Sequence, residues 1–306
     1  MKKIAVIDLG TNGFRLYIAE TLHKGHFNII HKESNDLKLA SEGIQHIGEA
    51  PFERGLAAMR HFSTVLKKYD VHKIQAFGTA ALRIADNGQE FMDTVKQETG
   101  IEIDLISGAR EAELFYLGMR MGIPFSEGVL ADSIEPVVMI DVGGGSVEFI
   151  ICNTEGVLWA HSFNIGVAIL KQKFHIHDPI IETEIVDIEN FLDEAASDFL
   201  HKIEEFKPKI PIIACGTIDF MVKILRGGYE KPYFELDRPT YDYFYNQWIS
   251  LSENDLYQQP DIPKDKVEML AVSLILMDWV LKKMNSSTLI ASANSMKAGI
   301  LYEMSL

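Results

Sequence analysis

The segment Asp141-Val-Gly-Gly-Gly-Ser-Val-Glu148 combines residue types that phosphate and metal chemistry require. Its glycines, Gly143, Gly144 and Gly145, let backbone N–H groups approach phosphate oxygens where side chains would intrude, and Ser146 follows them. The flanking carboxylates suit Mg²⁺, which takes a few protein oxygens together with water and substrate phosphates. The segment therefore indicates a magnesium and phosphate loop, with a glycine-rich turn between two solvated acids as the alternative.

A second segment, Asp8-Leu-Gly-Thr-Asn-Gly-Phe-Arg15, places an acid, a hydroxyl, an amide and a guanidinium around a turn. Residues 4–18 and 137–151 align without a gap, and each stretch reads as strand, glycine turn and strand. Taken alone, Asn12-Gly13 is also a common hairpin turn. The alignment indicates a duplicated chain in which Asp8 and Asp141 face each other across one cleft between domains.

Two further segments each lead from a strand into a helix. Thr79 is placed to cap the first of these helices, whose free N–H groups would hold an anion, and Arg83 adds a two-pronged charge. Glu111 falls in the first turn of the second helix, where the helix dipole favours a charged carboxylate that can accept a proton from water. A simple cap with a surface arginine and plain dipole compensation are the alternatives.

Apolar spacing predicts α/β structure in both halves. In the first half, we expect helices at 51–69 and 111–121 and strands at 73–77 and 101–106. The second half repeats the scheme, with helices at 183–206, 264–284 and 295–304 and strands at 210–215 and 288–291. Turn-forming and acidic residues near 122–136 predict domains 1–124 and 125–306, with the closing helix 295–306 able to pack back on the first domain.

Motifs for other chemistries fail at identifiable positions. A dinucleotide-binding fingerprint and a nucleophile elbow would each need a glycine at Glu148, and no Gly-Lys-Ser/Thr sequence exists for a P-loop. His175 and His177 form a close pair, but acids and cysteines at ligand spacing are missing around them. We therefore expect no zinc site.

Composition excludes several classes of partner. The 306 residues carry a net charge of −15, which disfavours broad binding to nucleic acid or anionic membranes because both would be repelled. The longest apolar stretch, 269–277, falls short of the roughly 20 residues that a membrane span needs. The apolar run 4–7 is too short for a signal peptide, and Cys152 and Cys215 lie in apolar runs, so we expect reduced thiols and a cytoplasmic location.

The segments described above together resemble the exopolyphosphatase/guanosine pentaphosphate phosphohydrolase family of the actin-like ATPase superfamily. The likeness spans nearly the whole chain and also includes 37–44, 164–166, 216–218 and 292–301. The resemblance implies an α/β fold with two ribonuclease-H-like domains, each a mixed sheet flanked by helices, and a cleft between them.

The resemblance also implies roles for individual residues. Glu111 matches the glutamate that activates water, and Asp141 and Glu148, with Asp8, are expected to hold Mg²⁺. The expected phosphate-binding residues are Thr11, Asn12, Arg15, Thr79, Arg83, Gly143, Gly144, Gly145, Ser146, Gly216, Thr217 and Lys297.

Several positions depart from the family pattern. Arg110 stands where a second glutamate normally precedes the catalytic one, and Thr11-Asn12-Gly13 replaces Ser-Asn-Ser. In the final motif, Ala293 replaces an acid and Lys297 replaces arginine, which keeps the charge but loses the two-pronged geometry.

The expected function is Mg²⁺-dependent hydrolysis of a terminal phosphoanhydride bond in polyphosphate or guanosine pentaphosphate, with no nucleic-acid or membrane partner. One alternative is a kinase of the same superfamily that transfers phosphate from ATP to a small acceptor. Another is a degenerate member that senses guanosine tetraphosphate or polyphosphate without turnover, which Arg110, Ala293 and Lys297 favour. Substrate choice, chain length and oligomeric state stay open, with a homodimer as one alternative.

Overall fold

The computed structural model describes residues 2–123 and 135–306. They form two compact units, the first comprising Met1–Gly118 with Met296–Leu306 and the second Met119–Ser295. The boundary predicted after residue 124 falls outside the described residues, whereas the units divide at Gly118 and at Ser295. The closing helix therefore belongs to the first unit, although its residues fall within the predicted range 125–306 of the second domain.

The first unit is built on a five-stranded sheet of β1 (Lys3–Leu9), β2 (Gly13–His23), β3 (His26–Asp36), β4 (Lys73–Gly78) and β5 (Ile103–Leu105). The strand order is β3-β2-β1-β4-β5, in which β2 runs antiparallel to both neighbours and β4 and β5 run parallel to β1. The helices are α1 (Glu49–Tyr69), α2 (Ala80–Ile84), α3 (Gly88–Thr99) and α4 (Gly108–Gly122), with the closing helix Met296–Ser305 packed on β1 and β3.

The second unit has a six-stranded sheet of β6 (Val137–Val142), β7 (Val147–Cys152), β8 (Val157–Phe163), β9 (Pro211–Ala214), β10 (Tyr233–Asp237) and β11 (Thr288–Ser292). Its helices are α5 (Val167–Phe174), α6 (Glu182–Ala195), α7 (Ser197–Phe206), α8 (Gly216–Arg226), α9 (Arg238–Trp248), α10 (Glu253–Gln258) and α11 (Val267–Met284), and the closing helix of the first unit is α12.

The two sheets share one topology. The second sheet has the order β10-β11-β9-β6-β7-β8, so its strands β8-β7-β6-β9-β11 repeat the order and directions of the five strands in the first unit. Strand β10 adds an antiparallel edge beside β11. The predicted α/β class, with two mixed ribonuclease-H-like sheets flanked by helices, is confirmed.

Each unit has its own core. Phe14 and Phe91 meet edge to face in the first unit, with ring centroids 6.0 Å apart. In the second unit, Phe149 stacks on Phe199, and α11 is buried without interruption from Leu270 to Leu281.

Although α11 is the most buried helix, no helix in the described ranges is long and apolar enough to cross a membrane.

The single helix predicted at 183–206 is wrong, because the structure has two helices, α6 and α7, separated at Ala196. The backbone of Ala196 has φ −110° and ψ 27°, outside the α-helical region. No Gly or Pro marks the break, and Ala196 is fully buried together with Phe199. Core packing, which apolar spacing does not report, accompanies the break.

The glycine turns that end β1 and β6 have the same internal geometry. The N–H of Gly10 donates to the carbonyl of Gly13 at 3.2 Å, and the N–H of Gly143 donates to the carbonyl of Ser146 at 3.0 Å. A Cβ atom at Gly143 would lie 2.8 Å from the Ser146 carbonyl oxygen, closer than atoms can approach without a shift. The duplication inferred from sequence therefore extends to matching hydrogen bonds.

The carbonyl groups of the second turn bind the start of α5. Val167, Ala168 and Gly166 donate backbone N–H groups to the carbonyls of 143, 144 and 145, at 3.0, 2.8 and 3.2 Å respectively. Because C=O and N–H point in opposite directions across a trans peptide, the N–H groups of 144, 145 and 146 point away from α5. The turn thus presents three adjacent donors on one side, as a phosphate cradle requires.

We predict that both thiols of the native protein are unreactive. Burial raises the pKa of Cys152 to about 12 and also raises the pKa of Cys215, so little thiolate exists near pH 8, where an ordinary thiol of pKa about 8.5 is partly ionised. A chromophoric thiol reagent should detect both cysteines in denaturant and neither in native buffer. Rapid labelling of the native protein would contradict this burial.

We also predict that Gly166→Ala destabilises the second unit. The new Cβ would lie 2.3 Å from the carbonyl oxygen of Gly144, and neither backbone segment can move away freely. The free energy of unfolding should fall by about 1–3 kcal/mol in chemical denaturation. Gly216→Ala is the matched control, because its Cβ meets only the flexible end of Lys266, at 3.2 Å. Equal stability of the two variants would refute the close approach.

Candidate functional site

In the first unit, three predicted segments follow strands that end side by side. Leu9 on β1 is the register partner of Gly78 on β4, and Gly78 is the partner of Leu105 on β5. Because these strands are parallel, the chain leaves all three at one edge of the sheet. The loop after Asp8, the Thr79 segment and the start of α4 therefore lie at the same edge of the sheet.

Glu111 and Arg83 form an ion pair at this edge. Nη1 of Arg83 lies 2.7 Å from Oε2 of Glu111, and the same nitrogen donates to the carbonyl of Ile106 at 2.8 Å. The Glu111 side chain is 7% exposed and lies in the first turn of α4, as predicted. The pair fixes a carboxylate in a nearly buried position, and the guanidinium has further N–H groups with which to bind an anion.

Asp8 lies between two cations. Its Oδ2 is 3.6 Å from Nη1 of Arg15, its register partner on β2, and 3.8 Å from Nζ of Lys297 on α12. Asp8 is 6% exposed, whereas the side chains of Arg15 and Lys297 are 31% and 20% exposed. The structure thus brings three of the predicted residues together and makes Asp8 the anchor of both cations.

The predicted helix cap at Thr79 is wrong in its atomic detail. Thr79 precedes α2, but its side chain makes no cap hydrogen bond to the helix. Instead, its hydroxyl and its N–H both approach the carbonyl of Leu9, at 3.3 and 3.4 Å. The nearby Leu9 carbonyl gives the hydroxyl a partner outside the helix, and Thr79 ties the start of α2 to the end of β1.

The first turn uses its carbonyls in the same way as the second. Leu37 and Lys38 both donate N–H groups to the carbonyl of Asn12 at 3.0 Å, and Leu39 donates to the carbonyl of Thr11 at 2.9 Å. The N–H groups of Asn12 and Gly13, on the opposite sides of those peptides, therefore point away from the segment 37–39.

In the second unit, the corresponding strand pair carries two acids. Asp141 and Glu148 are register partners on β6 and β7, whereas the equivalent pair in the first unit is Asp8 and Arg15. Like charges directly opposite each other on neighbouring strands are destabilising. Glu148 is 4% exposed and accepts a hydrogen bond from the hydroxyl of Ser162 at 2.7 Å.

Two facing carboxylates fit a Mg²⁺ ion that keeps several waters and takes its other ligands from phosphates. Within 2–123 and 135–306, no group of three or more His, Cys, Asp or Glu side chains is placed to hold a metal by itself. The donor set therefore suits an ion bound together with a phosphate substrate, and a third ligand role for Asp8 stays a prediction.

Gly216 and Thr217 begin α8, directly after β9, which pairs with β6 at Asp141. The Thr217 side chain is buried and donates to the hydroxyl of Ser273 at 2.9 Å. The Thr217 hydroxyl thus already has a protein partner. Of Gly216 and Thr217, the part suited to binding phosphate is therefore the backbone at the start of α8. Lys266, which the sequence did not single out, packs its side chain against Gly216.

Arg110, one of the departures from the family pattern, takes part in a structural ion-pair cluster. It contacts Glu113 one turn along α4 at 2.7 Å and also pairs with Glu303 on α12. Hydrogen bonds to these two acids raise the pKa of Arg110 against the opposing effect of partial burial. Arg110 therefore joins α4 to the closing helix.

Two supporting residues escaped the sequence reasoning. Ser162 lies opposite Glu148 on β8, and a correct prediction of β8 would have placed it there through the strand register. Arg54, on α1, binds the carbonyl of Leu37 through two nitrogens, at 2.9 and 3.1 Å. Nothing in the local sequence around either residue signals a role, because each acts through a distant segment.

Comparison with known proteins is consistent with this geometry. Over 66% of the chain, it is 30% identical to a bifunctional 3-dehydroquinate synthase/phosphatase from Fusobacterium nucleatum, of which it covers 31%. It is 22% identical to exopolyphosphatase 1 of Mycobacterium leprae, covering 72% of this chain and 64% of that one. The chain thus spans less than two thirds of the length of each of these relatives.

A solved structure agrees over the full length. The crystal structure of an exopolyphosphatase from Cytophaga hutchinsonii superposes with a TM-score of 0.91 and is 30% identical, covering 99% of this chain and 98% of that one. The family model described as the Ppx/GppA phosphatase family matches residues 18–306. Together with the repeated glycine turns and the buried Glu111 at the edge of the first sheet, this match to the family model shows that the chain belongs to the Ppx/GppA phosphatase family.

Proposed function

We propose that the protein hydrolyses the terminal phosphoanhydride bond of a short polyphosphate or of guanosine pentaphosphate. The observation that supports this most directly is the nearly buried carboxylate of Glu111, held by Arg83 at 2.7 Å at the sheet edge that also carries the first glycine turn. A fixed carboxylate next to peptide N–H donors is suited to orienting a water molecule toward a bound phosphate.

In the proposed reaction, the outward N–H groups of the first turn bind phosphate oxygens, and Arg15 and Lys297 supply positive charge near that turn. Glu111 orients the attacking water in line with the bond that breaks. Phosphoryl transfer passes through a loose transition state that asks mainly for positioning and charge neutralisation. Orientation by Glu111 therefore matters more than its strength as a base.

We propose that Asp141 and Glu148 hold the Mg²⁺ ion. When bound, the ion would neutralise charge on the phosphate oxygens. The Ser162 hydrogen bond to Oε1 of Glu148 fixes that carboxylate, so its orientation does not depend on the ion alone.

One alternative function has a specific observation in its favour. A sensor that binds guanosine tetraphosphate or polyphosphate without turnover would not need the altered family positions for catalysis. The residues at those positions could instead stabilise the fold. Arg110, which replaces a family glutamate, does bind Glu113 and Glu303 in this way. Tight binding with negligible phosphate release would support the sensor.

The test of the function is magnesium-dependent phosphate release from tripolyphosphate, long-chain polyphosphate, guanosine pentaphosphate and ATP. We expect a higher kcat/KM for the short anions, because a chain of net charge −15 repels long polyanions, whereas Arg15, Arg83 and Lys297 supply enough local charge for a short anion. Affinity should fall as salt rises, because screening weakens the local attraction.

Other results with these four substrates would contradict parts of the proposal. A higher kcat/KM per chain end for long polyphosphate at moderate salt would refute the preference for short anions. ADP formation that requires an added acceptor would identify a kinase, and no release from any substrate would refute hydrolysis.

Glu111→Gln should lower turnover by roughly 10²-fold or more, because the amide cannot orient or deprotonate water as the carboxylate does. Glu113→Gln is the matched control, since Glu113 lies on the same helix with its side chain 60% exposed. Thermal unfolding of both variants should confirm intact folding. Near-normal turnover by Glu111→Gln would show that this carboxylate serves only the start of α4.

A further inference from the structure

The segment 37–41, between β3 and α1, holds the carbonyl side of the first glycine turn. Its N–H groups at Leu37 and Lys38 converge on one acceptor, the carbonyl of Asn12. Such convergence bends the chain, and Lys38 has φ 49°, in the left-handed region that residues with a side chain rarely adopt. A strained backbone conformation persists only where its surroundings hold it in place.

Arg54 on α1 supplies that restraint. Its Nε and Nη2 both donate to the carbonyl of Leu37, at 3.1 and 2.9 Å, and Nη2 also reaches the hydroxyl of Ser41 at 3.4 Å. The guanidinium therefore binds the chain on both sides of Lys38, the residue with the left-handed backbone. A planar fork is needed for this grip, because a single ammonium group would not reproduce two parallel bonds to one carbonyl.

Comparison with the second unit explains the role of Arg54 in the first unit. Its glycine turn is bound by Gly166, Val167 and Ala168, and this segment is the start of α5. Helical hydrogen bonds, such as that from Leu170 N–H to the Gly166 carbonyl at 3.0 Å, hold the segment in shape. In the first unit the equivalent segment is a loop, so the restraint comes from a side chain on another element.

We propose that Arg54 is a positioning residue for phosphate binding: it fixes the segment 37–41, which fixes the Asn12 carbonyl and so the direction of the Gly13 N–H. In this role Arg54 touches no substrate, and its influence passes through Leu37 and Asn12. The structural effect on the segment stands independently, whereas the effect on phosphate binding rests on the proposed function.

The first test is hydrogen exchange of the backbone amides in Arg54→Ala. Exchange at Leu37, Lys38 and Leu39 should accelerate about tenfold or more, since a charge-assisted hydrogen bond that holds the segment is lost. Amides in the middle of α1 should keep their rates. Arg54→Lys should fall between wild type and Arg54→Ala, because it keeps the charge and loses the fork.

The matched control is Arg60→Ala. Arg60 lies on the same helix, but its partners are Glu98 at 2.6 Å and Glu53 at 3.9 Å, and its side chain is 47% exposed. Exchange at residues 37–39 should be unchanged in this variant. Equal effects of Arg60→Ala and Arg54→Ala would attribute the change to α1 as a whole and overturn the proposal, as would unchanged exchange in Arg54→Ala.

The second test is kinetic, with tripolyphosphate as the probe. Arg54→Ala should raise KM about tenfold with little change in kcat, because a loosened turn binds the ground state and transition state equally less well. A purely structural role would instead lower the active fraction and leave KM unchanged, which would refute positioning.

Two further outcomes separate the possible failures. If wild type releases no phosphate, the proposed function fails, and the exchange measurement still decides whether Arg54 holds the segment. If Arg54→Ala does not fold, Arg54→Lys and Ser41→Ala carry the same exchange test, and normal exchange at residues 37–39 in both would overturn the proposal.

Discussion

The direction of the peptide groups in each glycine turn is the constraint on which both units depend. A turn can offer N–H groups to an anion only if its carbonyls have partners on the opposite side. The second unit meets this need with the start of a helix, whose Gly166 comes so close to Gly144 that no side chain fits between them. The first unit meets it with a bent loop that Arg54 restrains.

The duplicated hairpins diverge at one pair of positions with a large electrostatic effect. Opposite the strand-end aspartate, the first unit has Arg15 and the second has Glu148. The first pair is neutral as a whole and recruits Lys297 as an additional cation, whereas the second concentrates negative charge. A common backbone geometry therefore carries one acid with two cations in the first unit and two facing acids in the second.

Sequence patterns predicted the features that depend on nearby residues. The hairpins, α1, α11 and the position of Glu111 follow from glycine spacing, apolar periodicity and strand-to-helix transitions, all of which are local. Strand β3 was not identified, because its side chains are mostly polar and partly exposed on the sheet edge. The break at Ala196 likewise has no local cause and appears only where α7 packs into the core.

For the candidate site too, the sequence predicted the residue types but not their distant partners. The types and order of Asp8, Arg83 and Glu111 in the sequence indicated phosphate chemistry. Their partners could not be predicted, because an ion pair such as that between Lys297 and Asp8 joins residues separated by nearly the whole chain. Thr79 shows the limit most clearly, since its hydroxyl prefers the carbonyl of Leu9 to the helix that it precedes.

The place of α12 in the first unit has a consequence for synthesis on the ribosome. Gly299 approaches the backbone of Leu114 so closely that an added Cβ would lie 1.9 Å from its carbonyl oxygen, so α12 is an integral part of the first unit. The second unit, in contrast, is one continuous stretch of the sequence. The closing helix of the first unit is therefore synthesised after the whole second unit, and the sheet formed by residues 3–105 lacks the cover of α12 until then.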